Sequence, residues 1–278
     1  MTQRYDPSAA IAVVDSGIGG LSVLRALAQH LPGERWLYFA DQAHIPYGEK
    51  PADALRRYAR RILAFLQEQG IKALVVACNT LSAASLEDLR ARHPDLPIVG
   101  MEPAVKPAAQ LSQRGVVGVM ATRATLTSER YRRLKVRFGQ GVRFLEDPCE
   151  GLVEHIEAGR LNGPQVEALL RRIVGPMQEA GVDAVVLGCT HYPFVADALQ
   201  RLLGPEVTLV DPAHAVARQT RRVLEARGLL RPNGAMGGVV RYFTTGAART
   251  FARQIRLLVP ELEAPVQPLP FFWMEELL

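Results

Sequence analysis

The sequence predicts an α/β protein made of two pseudo-symmetric, doubly wound halves with mostly parallel sheets. Three observations carry that prediction. Short apolar runs alternate with longer amphipathic stretches, the runs show no polar alternation, and three of them recur in the same order along the chain. Strands that are apolar on both faces belong in parallel sheets covered by helices, and strand–helix alternation is the pattern of repeated β-α units. A length of 278 residues suffices for one large domain or two ordinary ones, each with its own core.

Taken in order, strands are expected at 11–14, 36–40, 73–77, 97–100, 116–120, 142–145, 184–187, 207–210 and 239–243. The clearest helices are 52–69, 165–180 and 213–226, where apolar residues recur at helical spacing among arginines and glutamates. The repeat emerges when the strands are aligned. Residues 11–16 (IAVVDS) lie 106 positions before 117–122 (VGVMAT), and 36–41 (WLYFAD) lie 106 before 142–147 (VRFLED). Residues 70–78 (GIKALVVAC) lie 111 before 181–189 (GVDAVVLGC), and these two segments agree almost throughout. A duplication places the first domain at 1–100 and the second at 101–210. The remainder, 211–278, offers a helix, a strand and a helix that return to the first domain. Its apolar end, 271–278 with Glu275 and Glu276, is expected to dock on the body or on a partner.

Composition narrows the class. An apolar fraction of 48% with 22% charged residues excludes disorder and coiled coil as dominant states. No run approaches the roughly 18 apolar residues of a membrane helix, and the start, MTQRYDPSAA, lacks the build of a secretory signal. Three cysteines argue against a disulfide framework and for a reducing, cytoplasmic compartment. The net charge of +5 comes from arginines scattered over helix faces, so no nucleic-acid partner is expected.

In open α/β sheets the reactive groups lie beyond the carboxyl ends of the strands. The first such end is Asp15-Ser16-Gly17-Ile18-Gly19-Gly20. Its glycines permit a sharp turn with exposed N–H groups, but the spacing is not that of a dinucleotide fingerprint, and Asp15 would repel a pyrophosphate. An acid there suits a proton or an ammonium group. The other two ends are Cys78-Asn79-Thr80 and Cys189-Thr190-His191-Tyr192-Pro193. Each cysteine precedes a helix start, where the dipole favours a thiolate. Each also has a proton partner at hand: Asp15 for Cys78, His191 for Cys189. Asn79, Thr80 and Thr190 serve equally as helix caps or as carboxylate ligands. Cys149 has no counterpart in the repeat and reads as structural.

No C-x-x-C or H-x-x-x-H pair supplies a zinc site. None of the four lysines sits at a strand end to hold pyridoxal phosphate, so no cofactor is expected. A redox disulfide, a thiol hydrolase and a non-catalytic amino-acid-binding or inhibitory protein all remain open. Racemisation is the chemistry that uses two thiols, one removing an α-proton and the other returning one on the opposite face.

The segments Val14-Asp15-Ser16-Gly17-Ile18-Gly19-Gly20-Leu21, Ile45-Pro46-Tyr47-Gly48-Glu49-Lys50, Ala77-Cys78-Asn79-Thr80, Glu102-Pro103-Ala104-Val105-Lys106-Pro107 and Gly188-Cys189-Thr190-His191-Tyr192-Pro193 resemble the glutamate racemases of the aspartate/glutamate racemase superfamily. The resemblance implies two α/β domains with the active site in the cleft between them. It implies that Cys78 and Cys189 are the acid/base thiols, facing the D- and L-enantiomer respectively. Asp15 and His191 would assist them, and Asp15, Ser16, Tyr47, Gly48, Asn79, Thr80, Thr190 and His191 would surround glutamate. Glu157 falls near the family's further site glutamate, in a stretch where Glu150 and Glu154 compete for the role. With ligand bound the sulfurs would stand roughly 7 Å apart, each at near-attack distance from one carbon.

Two departures stand out. Gln42 replaces a small hydroxyl residue, and Leu81 a smaller side chain. Asp15 lies close to the start of the chain, so activation by a peptidoglycan precursor is not expected. The family also implies supply of D-glutamate to peptidoglycan, and its members are often dimers, which makes a homodimer a candidate assembly. A sibling racemase acting on aspartate would keep both cysteines and differ in the side-chain pocket.

Overall fold

The structure is a computed structural model that describes residues 5–232 and 237–269; the segment 271–278, expected to dock, lies outside the described residues. Two compact units result. One holds the chain up to Met101 and from Ala213 onward, the other Glu102–Pro212.

The first unit begins with β1 (Ala10–Asp15), α1 (Leu21–His30), β2 (Trp36–Ala40), α2 (Ala52–Glu68), β3 (Ile71–Val76), α3 (Asn79–Arg92) and β4 (Ile98–Gly100). The second contains α4 (Val105–Leu111), β5 (Val116–Met120), α5 (Arg123–Leu126), α6 (Glu129–Phe138), β6 (Arg143–Asp147), α7 (Leu152–Glu157), α8 (Pro164–Glu179), β7 (Ala184–Leu187), α9 (Ala196–Leu203) and β8 (Thr208–Val210). The chain then returns to the first unit with α10 (Ala213–Ala226), β9 (Val240–Thr244), α11 (Ala248–Leu258) and β10 (Val266–Pro268).

Among the described residues every strand pairing is parallel. The first sheet runs β10-β9-β2-β1-β3-β4 and the second β6-β5-β7-β8. The order β2-β1-β3-β4 thus reappears as β6-β5-β7-β8, the structural form of the repeat in the sequence. Strands β2, β3 and β7 are buried along their whole length, as runs without polar alternation require. In α2 the buried residues are Leu55, Tyr58, Ala59, Ile62, Leu63 and Leu66, a single stripe at helical spacing that leaves the arginines outside.

The sequence did not betray β10, a three-residue strand at the sheet edge that ends in proline, where a missing ladder donor is tolerated. Strand β6 runs two residues further than expected, which makes Asp147 its carboxyl end. At the amino end of β3, Lys72 is fully buried and donates to the Glu34 carboxylate at 2.5 Å and to the Pro7 carbonyl at 2.6 Å. Glu34 in turn accepts the Arg231 backbone N–H. In each unit the strand order turns about the central pair, β1/β3 and β5/β7. The crevice beyond the carboxyl ends of such a pair is where this class of sheet binds ligands.

Candidate active site

In the first unit, Asp15 closes β1 and is fully buried. The Gly17 N–H donates to its Oδ2 at 3.2 Å, and the Tyr38 hydroxyl donates to the Gly17 carbonyl at 2.7 Å. Gly20 is needed for close approach: a Cβ there would fall 2.7 Å from both the Asp15 Cβ and the Tyr38 hydroxyl oxygen. Ser16 is buried in the same turn.

Cys78 lies just past the neighbouring strand end. The Ala77 N–H donates to the Val14 carbonyl at 2.8 Å, so Asp15 and Cys78 sit on adjacent strand ends. Cys78 is the N-cap of α3, and its sulfur accepts the Leu81 N–H at 3.4 Å. That N–H and the helix start favour negative charge on the sulfur. Leu81, the bulkier residue noted in the sequence, therefore acts on the thiol through its backbone while its side chain joins the core. Asn79 and Thr80 open the same helix and are buried. Neither the amide nitrogen nor the amide oxygen of Asn79 has a hydrogen-bond partner. Burying such a group unpaired costs roughly 1–3 kcal/mol, a cost that a polar ligand removes.

The 3-10 turn Tyr47–Glu49 brings Tyr47 and Gly48 to this end of the sheet. Tyr47 is buried and donates its hydroxyl proton to Asp41 Oδ2 at 2.5 Å. Burial, and then the Asp41 charge, push its pKa far up, so it stays a neutral phenol; Cys78 and Asp15 add to the shift through their charges. Asp41 is a hub. It also holds His44 Nδ1 at 2.8 Å and the Thr245 hydroxyl at 2.9 Å, while Thr245 Oγ1 accepts the Ala43 N–H. Gln42, with its amide, links Thr244 to Gln254. Sequence reading missed Asp41, His44 and Thr245 as a group, because Thr245 sits 204 residues from Asp41 and nothing local joins them.

In the second unit, Cys189 follows β7, and the Gly188 N–H donates to the Met120 carbonyl at 2.7 Å, which fixes Cys189 beside the end of β5. The helix start expected at Cys189 is displaced. A 3-10 turn, Tyr192–Val195, comes first and its N-cap is His191; only then does α9 begin. The thiol is accordingly served by a side chain rather than by a helix end. Cys189 Sγ is 3.6 Å from His191 Nδ1, and His191 Nε2 is 2.7 Å from Glu157 Oε1. Thr190, between Cys189 and His191 in sequence, is buried as well.

Of the three glutamates near α7, Glu157 at its last turn reaches His191, Glu150 pairs with Arg123, and Glu154 is exposed. Burial opposes a charged imidazole at His191, but the hydrogen bond to Cys189, the one to Glu157 and the charges of both outweigh it. The His191 pKa stands well above its ordinary value. His191 is thus set up to keep its proton beside the Cys189 sulfur.

Among the described residues no three His, Cys, Asp or Glu side chains converge as a metal site requires, and no helix is long and apolar enough to cross a membrane. The family model for Asp/Glu/hydantoin racemases matches residues 11–220. A curated relative, the glutamate racemase of Pseudomonas aeruginosa strain PAO1, is 51% identical over 251 residues, covering 90% of this chain and 94% of that protein. The crystal structure of glutamate racemase from Thermus thermophilus in complex with β-chloro-D-alanine is similar at TM-score 0.80 and 38% identity, covering 96% of this chain and 99% of that one. That of the Escherichia coli enzyme, in complex with L-glutamate and the activator UDP-MurNAc-Ala, is similar at TM-score 0.82 and 32% identity, over 94% and 97% of the two chains.

Proposed function

The chain belongs to the Asp/Glu/hydantoin racemase family and to its glutamate racemases, and from that premise we propose that it interconverts L- and D-glutamate by two-thiol acid/base chemistry. The observation that carries this reading is the matched pair of strand ends. After each of the equivalent strands β3 and β7 stands a buried cysteine, with groups beside it that favour its anion.

With L-glutamate, the Cys189 thiolate takes the α-proton, the electron pair passes into the α-carboxylate as an enediolate, and the Cys78 thiol delivers a proton to the opposite face. With D-glutamate the roles exchange. His191 holds its proton beside Cys189 and so favours negative charge on that sulfur while it acts as base. Asp15 serves Cys78 from the adjacent strand end. The unpartnered amide of Asn79, with Thr80, Thr190 and the neighbouring backbone N–H groups, binds carboxylate, and Ser16, Tyr47 and Gly48 complete the surroundings of the substrate. Delivery of D-glutamate to peptidoglycan, in the cytoplasm, goes with this reading.

The test is the decay of circular dichroism from L-glutamate and from D-glutamate in purified protein without added cofactor, run beside solvent deuterium incorporation at the α-carbon. Both enantiomers should racemise and exchange, and single Cys78→Ala and Cys189→Ala variants should abolish racemisation. Turnover of aspartate in place of glutamate would redirect the substrate assignment. Activity surviving both alanine variants would end the two-thiol mechanism.

A further inference from the structure

The chemistry proposed above leaves unused a line of contacts that crosses the first sheet at its carboxyl edge. Strands β9, β2, β1 and β3 lie side by side in that order. Their ends are joined in turn: the Thr245 N–H donates to the Ala40 carbonyl at 3.1 Å, the Asp41 N–H to the Asp15 carbonyl at 3.0 Å, and the Ala77 N–H to the Val14 carbonyl at 2.8 Å. Thr245 stands at one end of the line and Cys78 at the other. Thr245 is buried, and its hydroxyl makes two contacts at once. It donates to Asp41 Oδ1 at 2.9 Å and accepts the Ala43 N–H at 3.0 Å.

Asp41 passes this grip to the loop that follows β2. Its Oδ2 accepts the Tyr47 hydroxyl at 2.5 Å, and His44 Nδ1 lies 2.8 Å from its Oδ1. The His44 ring packs in turn on Tyr58, with centroids 4.5 Å apart. The loop has little regular structure of its own: its 3-10 turns, Gln42–His44 and Tyr47–Glu49, are three residues each, and neither has a side-chain cap. Turns that short have poor hydrogen-bond geometry and take their place from what they are fastened to. The Asp41 carboxylate is that fastening. Because Tyr47 packs in the same apolar cluster as Cys78, it also sets the loop against the thiol.

We propose that Thr245 is a positioning residue for the loop that bears Tyr47 and Gly48, acting through Asp41. Its hydroxyl does what no apolar side chain of its size can do. It satisfies the buried carboxylate and the Ala43 N–H together, so that Oδ1 is held while Oδ2 faces Tyr47. Without it, that N–H and that oxygen each lose a buried partner and regain one only by shifting. The neighbour Thr244 sharpens the case. Its hydroxyl also makes two contacts, donating to Gln42 Oε1 at 2.9 Å and accepting the Gly246 N–H at 3.0 Å, but neither is to Asp41. Removing either hydroxyl costs the fold alike, and only one of them bears on Tyr47.

This inference rests, for its kinetic arm, on the proposed racemisation, in which Tyr47 and Gly48 line the glutamate site; a second arm is independent of activity. The variants are Thr245→Val, Thr245→Ser, Thr244→Val and Tyr47→Phe. Each is followed through thermal unfolding, KM and kcat for both enantiomers, and 13C NMR of ring-labelled tyrosine, with the Tyr47 signal assigned through Tyr47→Phe. Thr245→Val is expected to raise KM about 3- to 10-fold with kcat changed less than about 2-fold, and to move the Tyr47 signal. Thr245→Ser, which keeps the hydroxyl, should restore both. Thr244→Val should lower the melting temperature as much as Thr245→Val while leaving KM and the Tyr47 signal in place. In a Tyr47→Phe background, Thr245→Val should add little to KM, as links of one chain require. Should Thr245→Val not fold, Thr245→Ala takes its place with the same readouts expected. An unmoved Tyr47 signal or an unmoved KM in the folded Thr245 variant overturns the inference, and so does an equal rise of KM in Thr244→Val. If the wild type does not racemise glutamate, the proposed function fails, while the Tyr47 signal still decides whether Thr245 positions the loop.

Discussion

Glu157→Gln removes a charge from the His191 pair while leaving its geometry nearly intact, because the glutamine oxygen can still accept the Nε2 proton. In the native protein that contact is 2.7 Å, with His191 2% and Glu157 13% exposed, so solvent screens it little. A hydrogen bond to a charged group contributes roughly 1.5–3 kcal/mol and a neutral one roughly 0.5–1.5. The exchange therefore costs about 1–2 kcal/mol of imidazolium stabilisation, or about 5- to 30-fold in rate where the imidazolium is required. The sign of the pH effect follows from the raised His191 pKa. A histidine whose folded pKa lies above its ordinary value keeps its proton through neutral pH and loses it on the alkaline side. Loss of the Glu157 charge lowers that pKa, so the alkaline limb of kcat/KM should move to lower pH. The two enantiomers have equal free energy, hence kcat/KM must fall equally in both directions. The asymmetry appears instead in the primary isotope effect: with α-deuterated substrate it should grow for L-glutamate, the enantiomer whose proton is assigned to Cys189 in the proposed mechanism, and shrink for D-glutamate. Circular dichroism rates with both deuterated enantiomers across pH measure all of this. A folded Glu157→Gln protein with an unmoved alkaline limb and an unchanged rate would refute the assignment of His191 and Glu157 to Cys189.

Three further outcomes are expected. Asn79→Leu replaces a buried, unpartnered amide with an apolar side chain of similar size, so urea unfolding should show equal or greater stability while KM for glutamate rises; a fall in stability with KM unchanged would make Asn79 a packing residue. Gly20→Ala puts a methyl group 2.7 Å from the Asp15 Cβ and the Tyr38 hydroxyl, which should cost about 1–3 kcal/mol in stability and, by displacing Asp15, about 10- to 100-fold in turnover, read by unfolding and deuterium exchange together. Lys72→Met strands the buried Glu34 carboxylate and should lower unfolding free energy by about 3–5 kcal/mol, whereas Lys72→Met/Glu34→Leu should recover most of that loss.

The two thiols were legible in the sequence because each ends an apolar run, and the runs containing them, 70–78 and 181–189, are near copies. Position in a parallel sheet does the rest, since a residue past a central strand faces the crevice whatever else the fold does. What surrounds the thiols was legible only in part. Choosing among Glu150, Glu154 and Glu157 requires the phase of α7, which is set by the left-handed turn at Cys149 and Gly151, and a glutamate-rich six-residue helix has no periodicity strong enough to reveal it. The Asp41 hub joins the segments that follow β2 and β9, the second contributing Thr245 from the returning part of the chain, a pairing that sheet order creates and sequence proximity does not. Cys149 reads as structural when each residue is weighed alone, and its strained backbone is visible only in three dimensions.

Duplication made the two halves alike in topology but not in electrostatics. Cys78 leans on backbone: it caps α3, takes the Leu81 N–H and lies past the strand end next to that of Asp15. Cys189 leans on side chains: no α-helix starts at it, and His191, backed by Glu157, supplies the positive charge instead. A backbone N–H cannot be titrated, whereas an imidazolium can. In the proposed mechanism the alkaline limb is therefore expected from the Cys189 side, and Cys189→Ala, which leaves the Cys78 side whole, should leave washout of the α-proton from D-glutamate free of that limb. Persistence of the same alkaline limb in Cys189→Ala would place its origin outside the His191–Glu157 pair.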